Sequence, residues 1–151
     1  MILWRISNHA DLLGLGGLYA SARWHTRGRP IVYLAESSTA ALLETLVHLE
    51  VDANHRPERY QLLKVQADDS MHVERVEPDA LPEDWQARHD VTQRIGDDWL
   101  QRANSAVLRV PSAIAPETWN WLLNPRHKEA SLVRILSADE HRYDWRLFSS
   151  K

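Results

Sequence analysis

Apolar residues in this chain fall mostly into short runs, and only a few stretches carry a helical period. Residues 2–7 (ILWRIS) predict a first strand, with Arg5 set among apolar neighbours. Residues 11–17 (DLLGLGG) predict a glycine-rich bend, residues 18–24 a short extended piece, and Thr26 to Pro30 a turn. IVYLA at 31–35 is β-rich and short, so it predicts a buried strand. The hydroxyls of Ser37, Ser38 and Thr39 then offer an N-cap to a helix over residues 39–50. At roughly 100° per residue, Leu42, Leu43, Leu46 and Leu49 share one face of that helix. Glu44 lies at the edge of this face, and Ala40 and Ala41 leave room beside its carboxylate. A polar loop over 52–58 leads to strands at 60–66 and 71–76, and Ala67 to Ser70 between them predicts a hairpin. Residues 90–102 predict an amphipathic helix with Val91, Ile95, Trp99 and Leu100 facing inward. Further strands are expected at 105–110, 132–136 and 145–148. Short, mainly antiparallel strands with a few helices predict an α+β fold.

Composition narrows this picture. At 151 residues the chain is long enough for one domain, 1–151, with its own core. The net charge of -3 gives no reason to expect general nucleic-acid binding. There is no cysteine, which removes disulfides, thiolate nucleophiles and thiolate-bound zinc and fits a cytoplasmic protein. Arg5 and Asp11 interrupt the apolar N-terminus, so no signal peptide is expected. No apolar run approaches the roughly 20 residues that span a bilayer. Tryptophan is abundant, and Trp119 and Trp121 fit either a core or a partner surface.

Several chemistries fail on spacing. Gly14, Gly16 and Gly17 do not form a dinucleotide fingerprint, because Tyr19 stands where the third glycine belongs. No histidine pair has metal-ligand spacing, so no metal is expected. No G-x-S-x-G elbow surrounds Ser112. Arg23, Tyr33 and Glu44 remain. Arg23 is suited to grip a diphosphate through paired N–H donors, or to stack as a surface arginine on Trp24. Tyr33 is either a core tyrosine with a paired hydroxyl or a ring lining a pocket. A carboxylate on so apolar a helix is costly to bury unpaired. Glu44 therefore pairs with His48 or a core arginine, or else binds a sugar hydroxyl and stabilises developing positive charge.

The segments Gly16-Gly17, Arg23-Trp24, Val32 to Ser37, Ala41 to Glu44 and Val47-His48-Leu49 stand in the order of a known domain. Trp99-Leu100, Val110 to Ala113, and Asn120 through Asn124-Pro125 with His127 continue that order. Together they resemble the RES domain over nearly the whole chain. The arginine, glutamate and serine that name this family correspond to Arg23, Glu44 and Ser112. The resemblance implies a fold similar to ADP-ribosyltransferases and a toxin of a type II toxin–antitoxin pair that depletes NAD. It implies NAD as substrate rather than cofactor, with Arg23 on its phosphates, Tyr33 beside the nicotinamide, Glu44 on the ribose hydroxyls and Ser112 shaping the pocket. Arg5 and Asn124 are further substrate-binding candidates. The implied partner is an Xre-like helix-turn-helix antitoxin, which would connect the chain to DNA indirectly, in a homodimer or higher assembly. Relatives that ADP-ribosylate a protein supply an alternative, and a catalytically weakened antitoxin-binding module supplies another. The family usually has Gly-Gly before Arg-Trp and Asn after it. Here Ser21-Ala22 and His25 stand in those places, and their Cβ atoms are expected to narrow the turn's backbone freedom.

Overall fold

The computed structural model describes residues 1–49 and 56–148. These residues include seven strands and two α-helices. The elements run β1 (Ile2–Ile6), β2 (Val32–Ala35), α1 (Ser38–His48), β3 (Arg59–Ala67), β4 (Val73–Arg75), α2 (His89–Arg102), β5 (Val107–Pro111), β6 (Trp119–Leu123) and β7 (Val133–Arg142). They form one sheet in the order β4-β5-β6-β2-β1-β3-β7. Its pairs are antiparallel except β4 with β5. The α+β expectation agrees with this architecture.

The predicted hairpin at Ala67–Ser70 does not form. Asp68 does build a turn, its carboxylate accepting from the backbone and hydroxyl of Ser70. However, β1 and β7 already occupy both edges of β3, so β4 crosses to the far edge and pairs with β5. The path from Ala67 to Val73 reaches at most about 20 Å at ~3.5 Å per residue. A flat sheet would put β3 and β4 about 24 Å apart at ~4.8 Å per strand. The sheet must therefore curl. Leu3, Val65 and Ala67 accordingly share one core with Met71, Ala106 and Val107.

A second core lies on the opposite face. Cross-strand partners share a face, so Tyr33 lies beside Leu122, and Leu34 lies beside Trp121 on the other side. Leu122, Leu108 and Val110 meet Trp24, Trp85 and Trp99 in this second core, with Tyr33 packed against it. The helix α2 was expected to turn Val91, Ile95, Trp99 and Leu100 inward. Its buried residues are Thr92, Gly96 and Trp99, while Val91 is only half-buried. Ile95, Trp99 and Leu100 do pack on the second core, and Thr92 and Gly96 are buried as well because that side of the helix also meets the backbone of the Arg23-Trp24 turn.

Other local expectations also change. Residues 18–24 are not extended, because Leu15–Leu18 form a 3-10 turn and Ala22 bridges His25. A Cβ on Gly17 would lie 2.2 Å from the Arg29 carbonyl oxygen. That glycine permits close backbone packing within the bend. Residues 145–148 form a 3-10 turn rather than a strand, begun by Asp144 accepting from the Arg146 N–H. On α1, Ala41 is buried and Leu43 is exposed, so the leucine face is not wholly inward. Glu50 and most of the expected 52–58 loop lie outside the described residues.

Candidate active site

The site forms where α1 and the start of β6 meet the loop after β5. Ser37 caps α1 by accepting from the Ala40 N–H at 3.0 Å. That start places Glu44 on the second turn of the helix, facing Ser112 and Asn120. Glu44 Oε1 accepts from the Ser112 hydroxyl at 3.1 Å and from the Asn120 amide at 2.6 Å. Among the described residues its partners are thus neither His48 nor an arginine. Among the described residues, the other carboxylate oxygen, Oε2, has no hydrogen-bond partner.

Ser112 is itself fixed. It is buried, its backbone N–H donates to Thr118, and its hydroxyl accepts from the N–H groups of Ile114 and Ala115. With both backbone donors engaged, its own proton is directed to Glu44. Concavities lie on either side of it, and Ser112 and Thr118 line both. The one of about 190 Å³ is lined by Glu44, Ala40 and Leu43, which explains the leucine's exposure. The other, about 280 Å³, is lined by Trp85, Gln86, Ile114 and Trp119.

Arg23 projects toward the same region. Its guanidinium donates to the Gln86 carbonyl at 2.9 Å and lies 6.0 Å from the Trp85 ring centre. Trp85 thus takes the stacking place expected of Trp24, which is buried in the core. Burial lowers the Arg23 pKa, while the charge of Glu44 acts in the opposite sense. Glu44 is therefore close enough to be felt by Arg23 without forming an ion pair that would occupy either group.

The helix α2 holds the Arg23 turn in place. Thr92 Oγ1 donates to the Arg23 carbonyl at 2.6 Å, and the Gln93 amide donates to the Ala22 carbonyl at 2.9 Å. Asp97 accepts from the Thr26 N–H and hydroxyl at 3.0 and 2.7 Å. The altered flanks of Arg23 fit this turn. Neither Ser21 nor Ala22 has positive φ, a conformation that among non-glycine described residues occurs at Ala103 and Glu117. Ser21 instead accepts from the Arg27 N–H at 2.8 Å. A Cβ at these two positions therefore imposes no left-handed strain.

His25 joins the turn to Tyr33. Its Nε2 is 3.0 Å from the Ala20 carbonyl and its Nδ1 2.9 Å from the Tyr33 hydroxyl, which also accepts from the Trp24 N–H. A carbonyl can only accept, so this arrangement assigns the proton to Nε2 and makes Nδ1 the acceptor from tyrosine. Burial pushes the Tyr33 pKa up, keeping that hydroxyl protonated. Tyr33 therefore has its hydroxyl paired, while its half-buried ring lies on the face shared with Asn120. Burial is also the first cause lowering the His25 pKa, and the Ala20 bond opposes it. The unfolded chain thus binds more protons here as pH falls through about 6.5, so stability is present above that pH and lost below it. Melting temperatures at pH 7.5 and 5.5 should show a larger acid loss for wild type than for His25→Gln. Equal losses would exclude this role.

Two sequence candidates lie elsewhere. Strand alternation puts Arg5 on the Leu3 face, opposite Trp4 and Ala35, and its guanidinium donates to the Asp11 carbonyl. Asn124 is buried and ties the α2 end to β5, through the carbonyls of Leu100 and Ala106. Neither is brought to Glu44. Asn120 was not singled out as a site residue. Its signals were its place in the order of family motifs and its polarity between two tryptophans on a short strand. Asn120→Ala removes a short bond to a charged acceptor, and is expected to lower turnover about tenfold or more. An unchanged rate would deny Asn120 a positioning role. Among the described residues, no group of three or more acidic, histidine or cysteine side chains is arranged to hold a metal.

This α+β domain combines a cleft carboxylate held by a serine and an amide with an arginine on a turn anchored by a second helix. The RES domain matches residues 2–146, and the chain belongs to that family. It is 45% identical over 148 residues to Toxin Res of Pseudomonas putida strain KT2440, covering 98% of this chain and 100% of that protein. It is 34% identical to the Prs ADP-ribosylating toxin of Sphingobium sp. strain YBL2, covering 95% of this chain and 94% of the other. The fold also matches the crystal structure of the Mycobacterium tuberculosis MbcT–MbcA toxin–antitoxin complex. That match has a TM-score of 0.74 at 19% identity and covers 97% of this chain and 86% of the solved one. No described helix is long and apolar enough to cross a membrane.

Proposed function

We propose that this chain is a toxin that cleaves NAD at the nicotinamide–ribose bond. The observation that carries the proposal is Glu44, whose Oε1 is fixed by Ser112 and Asn120 while Oε2 remains available among the described residues. Nicotinamide leaves NAD as a neutral ring from a cationic one, so no general acid is needed. The protein has to hold the diphosphate, orient the ribose and stabilise an oxocarbenium-like transition state. Arg23 supplies the cation for the diphosphate and Glu44 a carboxylate for the ribose. The Tyr33 ring, anchored by its hydroxyl, supplies a wall for the nicotinamide. NAD is the substrate in this reading, and no metal or separate cofactor takes part.

The names of the Pseudomonas and Sphingobium relatives support a toxin, and the second supports ADP-ribose chemistry. A cytoplasmic protein neutralised by a helix-turn-helix antitoxin is part of the same proposal, and the solved toxin–antitoxin complex supports the antitoxin partner. The Sphingobium name also favours a second reading, transfer of ADP-ribose to a protein. Purified, antitoxin-free chain incubated with NAD should release nicotinamide and free ADP-ribose, or its phosphorolysis product when phosphate accepts it. Folded chain that binds NAD and releases no nicotinamide would overturn the cleavage reading. ADP-ribose found on protein would select the second.

A further inference from the structure

Arg75 and Arg109 stand side by side across the parallel β4–β5 pair, on the sheet face opposite Asn120. Adjacent like charges destabilise a sheet, and an intervening carboxylate is the usual remedy. Here the carboxylates at neighbouring positions are engaged otherwise. Glu74 accepts from Ser105 and pairs with Arg102, while Glu36 accepts from the Trp119 N–H. Among the described residues neither the Arg75 nor the Arg109 side chain makes a hydrogen bond or ion pair, and Arg109 Nε is shielded from water without an acceptor.

Arg109 is nevertheless held in place. Its guanidinium carbon lies 3.8 Å from the Trp119 ring centre and 5.8 Å from that of Trp121, its cross-strand partner. Stacking presents the planar group in one orientation, so little freedom is lost when it takes a carboxylate through two parallel N–H bonds. Arg75 is exposed beside it. Trp119 continues the surface to the rim of the larger concavity.

We propose that Arg75, Arg109, Trp119 and Trp121 form a docking surface for an acidic segment of a partner protein. Tryptophan and arginine are the residues that most often dominate protein interfaces. Two unpaired guanidinium groups, that of Arg109 stacked on tryptophan and that of Arg75 exposed beside it, match carboxylates spaced along an extended chain. A nucleic-acid surface would call for a longer basic stripe and a basic balance, whereas this chain carries a net charge of -3. The inference does not require the NAD reading, because none of its evidence comes from Glu44 or Arg23.

The test uses the full chain and a fluorescent peptide alternating glutamate with glycine. Binding should weaken as salt rises. Arg75→Gln and Arg109→Gln should each reduce affinity about tenfold, and the double variant should abolish binding. Arg75→Gln alone tests the site if Arg109→Gln fails to fold, and its melting temperature and any NAD turnover should match wild type. A peptide that does not bind wild type, or that binds Arg75→Gln as well as wild type, would overturn the proposal. So would an oligothymidylate that binds more tightly than the peptide with the same arginine dependence, since it would make this a nucleic-acid surface.

Discussion

Glu44→Gln is expected to leave the protein folded and, under the proposed NAD cleavage, to lower turnover about a hundred- to a thousandfold. Glutamine has nearly the shape of glutamate, and its side-chain oxygen can still accept from Ser112 and Asn120. The charge is lost while the geometry is kept. Positive charge develops on the ribose only as the bond to nicotinamide breaks, so the loss should fall on kcat more than on KM. Arg23→Lys makes a useful contrast. It keeps a charge near Glu44 but loses the planar group that donates to Gln86, so substrate binding should suffer too. The check is nicotinamide release by both variants, with melting curves beside it. A fully active Glu44→Gln would remove the carboxylate from the mechanism and leave the arginine, the ring and the fold to explain the activity.

What the sequence made legible follows the range of the forces involved. β1, β2 and α1 rest on local period and a capping serine, and each appears within a few residues of its expected place. The destination of β4 depends on strands far along the chain, so a good turn at Asp68 misdirected the hairpin expectation. The inward face of α2 was legible at Ile95, Trp99 and Leu100, but it extends to Thr92 and Gly96, buried against a backbone that a hydrophobic period does not register. At the site, local sequence left Arg23, Tyr33 and Glu44 ambiguous. Only the order of family motifs joined them to Ser112, which the structure sets within hydrogen-bond distance of Glu44. Asn120 shares that carboxylate oxygen, yet nothing in one strand residue announces a helix partner 76 positions away.

Gly96→Ala is expected to lower the melting temperature by about 5 °C or more and to cost most of the activity. The direction is not obvious from the helix alone. In an exposed helix interior, replacing glycine by alanine stabilises by about 1 kcal/mol. At Gly96, however, the new Cβ would stand 1.7 Å from the Trp24 carbonyl oxygen and 2.8 Å from its carbon. Those are backbone atoms, so no rotamer change relieves the clash. Either α2 or the turn must move, and overpacking of this kind typically costs about 1–3 kcal/mol and sometimes more. The turn is also the part that carries Arg23, and its bonds from Thr92 and Gln93 are set by the same close approach. Displacement should therefore reach catalysis even in molecules that remain folded. Gly16→Ala is the control, because a Cβ there meets nothing within 4 Å. If Gly96→Ala melts with wild type and keeps its rate, the approach of α2 to the Arg23 turn is looser than these contacts require, and the helix cannot be what positions the arginine.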